Sequence, residues 1–353
     1  MGTPFKDLAK LFDNKINNTN FSGDSINATA APANRPGFEF QKVPAGTVAA
    51  FIPLYTSVVI LSLLGNALVC LAVVRNKRMR SVTNFFLANQ ALSDIVMTIL
   101  NIPFTAYHQM VLDWPFGDLM CHLAEYMGMM SVYVSTFTLT AIALDRHRYI
   151  MYPHRPRIAK RTALGVASFV WALALLLSIP YALFRQTEIR NGATLCLISV
   201  ASNDLWFWKY VALVTFFIQL LIPLAVISAA YLRIYLKLRA RGNVGSVMAQ
   251  HQRANNKAKQ RTTLKLVLFV AVFAVCWCPL NLYVFVTNFN QKLKSSVLYL
   301  CLHWFAMCSV CINPVAFAFL NKNFRSGLKA TLRCARVNDR AKHSRNHTSE
   351  TFQ

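Results

Sequence analysis

Seven long apolar runs, almost free of charged residues, limit the folds open to this chain more than any other feature. Each run is close to or above the roughly 20 residues that an α-helix needs to cross a bilayer. A helix satisfies its own backbone hydrogen bonds, so it is the form in which such a run can cross lipid. The sequence therefore predicts an all-α membrane protein, a seven-transmembrane helix bundle. The runs fall near 49–74, 81–112, 126–144, 162–184, 210–232, 266–291 and 295–320.

The charge of the chain supports this prediction and sets its topology. Charged residues make up only 14% of the sequence, whereas about 25% of a soluble domain is charged. If the N-terminus lies outside and the spans alternate, 27 of the 37 basic residues fall in intracellular segments, as the positive-inside rule requires. The net charge of +24 therefore indicates topology rather than a nucleic-acid partner. It also gives a cytoplasmic face that attracts anionic lipids and acidic proteins.

The segment before the first span is predicted to be extracellular and glycosylated. It contains three Asn-x-Ser/Thr sequons, at Asn17, Asn20 and Asn27, which accept glycans when they are lumenal. The first 42 residues lack the apolar stretch and cleavage site of a signal peptide. We therefore expect the first span to act as both signal and anchor.

The segment after the last span has the pattern of a basic amphipathic helix. Phe324, Leu328 and Leu332 recur every four residues, and basic residues follow each of them by one position. This pattern predicts an eighth helix on the cytoplasmic membrane surface, with Cys334 placed for palmitoylation. The expected division of the chain is 1–48 extracellular, 49–320 bundle, 321–334 surface helix and 335–353 cytoplasmic tail.

Two cysteines lie outside the apolar interior of the spans, on the predicted extracellular side. Cys121 precedes the third run, and Cys196 lies between the fourth and fifth. An oxidising compartment would join them. The chain-entropy model assigns about 4 kcal/mol to closing a loop of roughly 75 residues. Such a bridge would hold the second extracellular loop over the bundle.

Asp94 is the most unusual polar residue within a span. A carboxylate in the middle of a span must be protonated, paired or bound to a cation. If the helices form one closed bundle, other polar residues within the spans are natural partners for it. The sequence thus predicts a small hydrated pocket able to hold Na⁺. Its expected members are Asn66, Asp94, Ser135, Ser309 and Asn313.

Short motifs follow one another along the spans, among them "LSD" at Leu92, "DRH" at Asp145, "CWCP" at Cys276 and "NPVAF" at Asn313. Their order resembles that of the rhodopsin-like (class A) G-protein-coupled receptors. The resemblance covers about 50–334. Three further motifs, "WPFG" at Trp114, "FWKY" at Phe207 and "HWFAM" at His303, are most similar to neuropeptide-Y-like peptide receptors. The ordered motifs are "GN" at Gly65, "LSD" at Leu92, Cys121, "DRH" at Asp145, Trp171, Cys196, Pro223, Tyr231, "CWCP" at Cys276 and "NPVAF" at Asn313.

The resemblance implies a plasma-membrane receptor, not an enzyme, which binds an extracellular neuropeptide-like ligand and activates heterotrimeric G proteins. It implies that Arg146 pairs with Asp145 at rest. Arg146 then meets the C-terminal helix of a Gα subunit when the sixth helix swings outward. Ser and Thr residues of the tail are candidate phosphorylation sites for arrestin. The implied G-protein switch comprises Asp145, Arg146, Tyr231, Asn313, Pro314 and Phe317.

The sixth span carries the expected moving part. Pro279 removes a backbone hydrogen bond and bends a helix. Trp277 and Phe273 lie one turn apart below the expected ligand cavity, so a ligand pressing on Trp277 would shift the bend. This is the kind of bistable element that switching requires. Pro223 and Thr136 complete the expected activation hinge.

Three residues depart from the family pattern. Phe317 replaces the usual Tyr and lacks the hydroxyl that would reach Tyr231. Thr136 replaces an apolar branched residue. Lys259 stands where some relatives have an acid that pairs with Arg146, so that lock between the third and sixth helices is expected to be absent.

The ligand cavity is expected to combine an acidic rim with an aromatic lining. Glu125 follows Cys121 by four residues and lies one turn above Gly128, which would leave room beneath it. Other extracellular acids, Asp204 among them, would form the rim. Such a cavity suits a peptide with a basic residue and an apolar or amidated C-terminus. The expected ligand-binding set is Thr105, Glu125, Gly128, Asp204, Trp277, Tyr283 and Trp304.

Other functions remain open at this point. A class A receptor for a lipid or small molecule shares most of these features. An aminergic receptor would need an Asp where Gly128 stands, and an opsin would need a Lys in the seventh span. A seven-helix transporter would show repeats or a file of charges, but Asp94 is the only deep acid. An intramembrane hydrolase would need a metal-ligand pattern, which the histidines of the spans do not form.

Overall fold

The computed structural model describes residues 43–76, 81–156, 158–190, 192–198, 205–240 and 248–320. Within these ranges the side chains at 205, 240, 248–262, 265, 291 and 316–320 are not described. Seven helices in this part of the chain are long and apolar enough to cross a membrane. The predicted all-α, seven-span architecture is therefore confirmed, whereas the eighth helix falls outside the described residues.

The first, third, fifth and sixth helices extend beyond the apolar runs that predicted them, and the other three match their runs to within two residues. The third and sixth gain the most, because a helix that has crossed the apolar core continues wherever its residues remain compatible with helical backbone. In chain order the spans are Ala45–Arg75, then Val82–Leu100 with Ile102–Val111, then Gly117–Met151, Lys160–Leu183, Leu205–Thr215 with Phe216–Leu221 and Ile222–Ala240, Met248–Phe289, and Ser296–Leu320.

Two spans are not continuous α-helix. In the second span, the helix is interrupted at Asn101, which ends one helical segment and begins the next. Pro103, which has no N–H to donate, stands in the first turn of that next segment. In the fifth, Phe216–Leu221 is a π-helix. Neither interruption was predicted from the sequence.

The third span lies at the centre of the bundle and is the most buried of the seven. It packs against the second, fourth and fifth spans, and the seventh packs against the first, second and sixth. Asn89 joins three of these helices, since its amide donates to Thr138 Oγ1 at 2.9 Å and accepts from Trp171 Nε1 at 2.8 Å. The bundle thus closes on itself around the third span.

An antiparallel hairpin covers the outer end of the bundle. Strand β1, Arg185–Arg190, pairs with β2, Ala193–Ile198, with Thr187 opposite Cys196. The predicted disulfide is confirmed, with the Cα atoms of Cys121 and Cys196 5.6 Å apart. The hairpin itself was not predicted, although the Asn191–Gly192 dipeptide favours a tight hairpin turn.

The first and seventh spans approach closely where Gly65 meets Pro314. A Cβ atom on Gly65 would lie 2.8 Å from Pro314 Cβ and Cγ, so only glycine fits there without a shift. The next residue, Asn66, donates from its amide to the carbonyl oxygen of Val310 at 3.0 Å. The "GN" motif therefore brings two helices together and then joins them by a hydrogen bond.

We predict that Gly65→Ala lowers the thermal stability of the purified protein, because the added methyl must displace the Pro314 ring. Overpacking of this kind typically costs about 1–3 kcal/mol. Gly165→Ala is the matched control, since a Cβ at Gly165 meets no atom within 4 Å. Thermal unfolding of the two variants should separate them, and an equal loss of stability in both would contradict the packing explanation.

Candidate functional site

The polar pocket around Asp94 lies in the interior of the bundle. Asp94 is 3% exposed, and its Oδ2 accepts a hydrogen bond from Asn313 Nδ2 at 2.6 Å. The second and seventh spans are thus joined through the carboxylate itself. Two of the five residues expected in the pocket are in direct contact, and both belong to motifs that the sequence placed far apart.

The other three expected members are buried near the same level but make different bonds. Asn66 donates to the backbone of the first and seventh spans. Ser309 accepts from Trp277 Nε1 at 2.9 Å, and Ser135 is 4% exposed. The seventh span therefore contributes two adjacent polar links, one to the carboxylate and one to the tryptophan of the sixth span.

Two residues of this network were missed in the sequence. Thr98 donates to the backbone carbonyl of Asp94 at 2.6 Å, and its oxygen also lies 2.6 Å from Ser62 Oγ. Thr98 follows Asp94 by four residues and Ser62 precedes Asn66 by four. Residues four apart lie on one face of a helix. Searching four residues from Asp94 and from Asn66 would therefore have found Thr98 and Ser62.

Two residues of the predicted activation hinge are in contact. The rings of Phe273 and Trp277 pack with centroids 6.0 Å apart, and Pro279 lies within the same helix. Thr136 is buried and donates to the backbone carbonyl of Val132 at 2.9 Å, so its hydroxyl is satisfied within its own helix. Pro223 is buried in the fifth span just after the π-helix.

A small cavity opens below the hairpin, next to the disulfide. Thr105 and Glu125, two of the expected ligand-binding residues, line it. Four residues that the sequence did not single out also line it, namely His108, Gln109, Arg185 and Tyr299. Arg185 could not be placed from sequence because it reaches the cavity only through the fold of β1.

Glu125 forms an ion pair with Arg185. The distance from Glu125 Oε2 to Arg185 Nη2 is 3.3 Å, and the two side chains are 27% and 18% exposed. Arg185 Nη1 also donates to the Cys196 carbonyl at 3.4 Å, while its Nε is buried with no partner in the described part of the chain. The pair links the third span to the hairpin across the cavity wall.

Three of the acids expected at the rim bind groups of the hairpin. Asp118 accepts from the Thr187 backbone N–H at 3.1 Å and Asp113 from that of Thr194 at 3.1 Å. Glu188 pairs with Arg190 at 2.7 Å. Asp118 and Asp113 hold the hairpin to the bundle, because each accepts a backbone N–H from one of its strands.

The space expected beneath Glu125 is filled. A Cβ on Gly128 would overlap the Asn101 side chain, whose amide donates to the Ala124 carbonyl at 2.8 Å and to Thr105 Oγ1 at 3.1 Å. Gly128 therefore allows the second span to approach the third, and the expectation that it leaves room for a ligand was wrong.

Tyr283 and Trp304, which were also expected in the lining, are not among the residues that line this cavity. The Tyr283 hydroxyl donates to the Ser295 carbonyl at 3.0 Å and accepts from the Ser295 N–H at 2.8 Å, which fixes the turn between the sixth and seventh spans. Trp304 Nε1 is buried without a partner among the described residues. His303 lies 2.8 Å from the Tyr55 hydroxyl and stacks on Tyr299, so "HWFAM" joins the first and seventh spans.

At the cytoplasmic end, Arg146 reaches the second span. Its Nη2 donates to Thr83 Oγ1 at 2.7 Å, and its Nε is buried without a partner in the described part of the chain. Tyr231 is also buried. Asp145 is half-buried in the same helix turn, and of Phe317 only the helical backbone is described.

Several predicted residues lie outside the described part of the chain. They are Asn17, Asn20, Asn27, Asp204 and Cys334.

Comparison with known proteins shows the family of this chain. The family described as "7 transmembrane receptor (rhodopsin family)" matches residues 65–317. Neuropeptide Y receptor type 2 of Macaca mulatta is 35% identical over 311 residues, 85% of this chain and 79% of the relative. The receptor of the same name from Homo sapiens is 34% identical over the same shares. That of Gallus gallus is 34% identical, over 79% of this chain and 74% of its own. The chain therefore belongs to the rhodopsin family of seven-transmembrane receptors.

Proposed function

We propose that this chain binds an extracellular neuropeptide-like ligand and couples it to heterotrimeric G proteins. As a member of its family it is a multi-pass plasma-membrane receptor and not an enzyme. The observation that carries the peptide assignment is its identity of about one third, across most of its length, to receptors named for neuropeptide Y. The cavity below the hairpin supports it, because it offers a paired acid and base to a polar ligand.

The route from ligand to G protein follows the bonded residues described above. A ligand in the outer cavity lies above Trp277, whose indole donates to Ser309. The neighbouring helical turn holds Asn313, which binds Asp94. A shift of Trp277 would therefore change the contacts of the seventh span with the Asp94 pocket in the middle of the bundle. Pro279 gives the sixth helix the freedom to move its cytoplasmic half away from Arg146.

The direct test is a screen of a neuropeptide library on cells that express the chain, with dissociation of G-protein subunits as the signal. Peptides of the neuropeptide Y type are expected among the active members. A lipid or small-molecule library serves as the alternative arm. Responses confined to that second library would contradict the peptide assignment while leaving the receptor assignment intact.

We predict that Arg146→Ala reaches the cell surface but loses G-protein coupling, because the guanidinium is the group proposed to meet Gα. Surface labelling measures expression, and nucleotide exchange on Gα measures coupling. Arg155→Ala, on the loop after the same helix, is the matched control, since Arg155 lies outside the switch and stacks on Tyr152 at 5.1 Å. Normal agonist-driven exchange by Arg146→Ala would contradict its role.

We further propose that the Asp94 pocket takes Na⁺. A buried carboxylate that is left ionised needs a compensating charge, and the described surroundings offer Asp94 an amide donor rather than a cation. Asp94, with the hydroxyls of Ser135 and Ser309, would hold the ion. Na⁺ there would supply the missing positive charge and favour the resting arrangement of the second, third and seventh spans.

This proposal predicts that raised sodium lowers agonist affinity and that Asp94→Asn abolishes the effect. Radioligand competition at constant ionic strength, with choline replacing sodium, measures it. Thr56→Val is the control, since Thr56 is exposed and its hydroxyl bonds only its own helix. Equal sodium sensitivity in the wild type and Asp94→Asn would exclude the pocket as the site.

The proposed peptide carries a basic residue that Glu125 recognises. Because Glu125 is already paired with Arg185, a ligand guanidinium must compete with Arg185 or share the carboxylate with it. A charge-assisted hydrogen bond contributes about 1.5–3 kcal/mol. Arg185 therefore tunes the affinity of the site for a cation, as well as holding the hairpin.

We predict that replacing the ligand Arg by citrulline weakens binding to the wild type, and has little effect on binding to Glu125→Gln. In Arg185→Gln the penalty should grow, because Glu125 is then free for the ligand. Asp204→Asn tests the other candidate acid in the same series. Binding affinities of both peptides to all four proteins form the cycle. An identical citrulline penalty in every protein would show that neither acid recognises the cation.

Three modifications complete the proposal: glycans on Asn17, Asn20 and Asn27, palmitate on Cys334, and phosphorylation of the tail followed by arrestin binding. Each rests on the sequence patterns given above.

A further inference from the structure

We propose that Thr83 is a positioning residue for coupling: it holds Arg146 against the second span in the resting receptor and so limits activity without ligand. The inference rests on the proposed coupling to G proteins and goes beyond it, because it assigns a regulatory role to a residue on another span. The observation behind it is the bond from Arg146 Nη2 to Thr83 Oγ1 at 2.7 Å.

The surroundings of Thr83 make it a fixed acceptor. It stands in the first turn of the second span, whose N-terminus is capped by Ser81, the side chain of which accepts from the Asn84 N–H at 3.3 Å. That helix packs along its length against the third span, which carries Arg146. The acceptor, Thr83 Oγ1, and the donor, Arg146, are therefore each carried by a helix, and the two helices pack against each other.

The sequence explains why such a residue is needed here. Lys259 occupies the base of the sixth span, where an acid would be required to hold Arg146 by charge. A lysine repels a guanidinium, so a residue of this type at position 259 offers no restraint by charge. The hydroxyl of Thr83 provides an uncharged acceptor on the second span, and a guanidinium leaves an uncharged acceptor more easily than it leaves a carboxylate.

The Nη2 atom of Arg146 lies against the second span while it is bound to Thr83, and the proposed meeting with Gα would draw it away. Binding to Thr83 and binding to Gα are therefore alternatives. In the bound position Arg146 Nε has no partner among the described residues, so the resting contact leaves part of the guanidinium unsatisfied. A Gα carbonyl that satisfied more of it would displace Thr83 once the sixth helix has opened.

The first test asks whether the bond contributes to the folded receptor. Thermal stability is measured for the wild type, Thr83→Val, Arg146→Ala and the double variant, all purified in nanodiscs. Thr83→Val keeps the shape of the side chain and removes the hydroxyl. Its effect should be clear in the wild type and nearly absent in Arg146→Ala. Additive effects would overturn the proposal at the level of the contact.

The second test measures ligand-independent nucleotide exchange on one Gα protein of each class. Thr83→Val should raise it about two- to tenfold, the shift in population expected when one net hydrogen bond is lost from the resting state. Thr83→Ser, which restores the hydroxyl, should return it to the wild-type level. Thr56→Val controls for the loss of a threonine hydroxyl elsewhere, and the double variant with Arg146→Ala should be inactive.

The two tests separate the possible failures. If the receptor couples but basal exchange is unchanged or lower in Thr83→Val, Thr83 does not limit basal activity, even if the stability cycle confirms its contact with Arg146. A rise that persists in Thr83→Ser overturns the role of the hydroxyl. If none of these proteins catalyses exchange on any Gα class, with or without an active peptide, the proposed function itself is contradicted. That conclusion does not depend on the result of the stability cycle.

Discussion

Polar groups inside this bundle must find their partners in one another, because lipid offers none. Asp94 meets Asn313, and Asn66 reaches the backbone of the seventh span. Asn89 connects the second, third and fourth spans through Thr138 and Trp171. Apolar packing alone leaves helices in a membrane free to rotate, since lipid tails are as apolar as the side chains. These few bonds therefore define which face of each helix points inward.

In the proposed mechanism, a signal rearranges two hydrogen bonds of this kind. The contact between Trp277 and Ser309 connects the hinge of the sixth span to the seventh, and the contact between Asn313 and Asp94 connects the seventh to the second. Each is a discrete hydrogen bond that is either made or broken. A bundle held in this way has alternative arrangements, where a continuous apolar core would resist any change.

The sequence predicted the number and nature of the spans, the disulfide and the contact of Asp94 with Asn313, because each follows from local pattern or from a demand that a buried charge imposes. It failed where the outcome depends on the rotation and depth of one helix relative to another. Gly128 accommodates Asn101, and Glu125 meets Arg185, through the break at Asn101 and the fold of the hairpin. A span that is apolar all round carries no periodic signal to indicate such neighbours.

The two ends of the bundle differ from its middle in a way that suits transmission across a membrane. At the outer end, Arg185 forms an ion pair with Glu125 at 3.3 Å. At the inner end, Arg146 donates to Thr83 at 2.7 Å. In both arginines Nε is buried without a partner in the described part of the chain. A buried donor without an acceptor is unfavourable, so each arginine can gain from a new partner that satisfies it better. In the middle, Asn313 donates to Asp94 at 2.6 Å, and both side chains are buried. In the proposed mechanism, the peptide and Gα exchange contacts with these two arginines, and the interior responds by moving as a connected set.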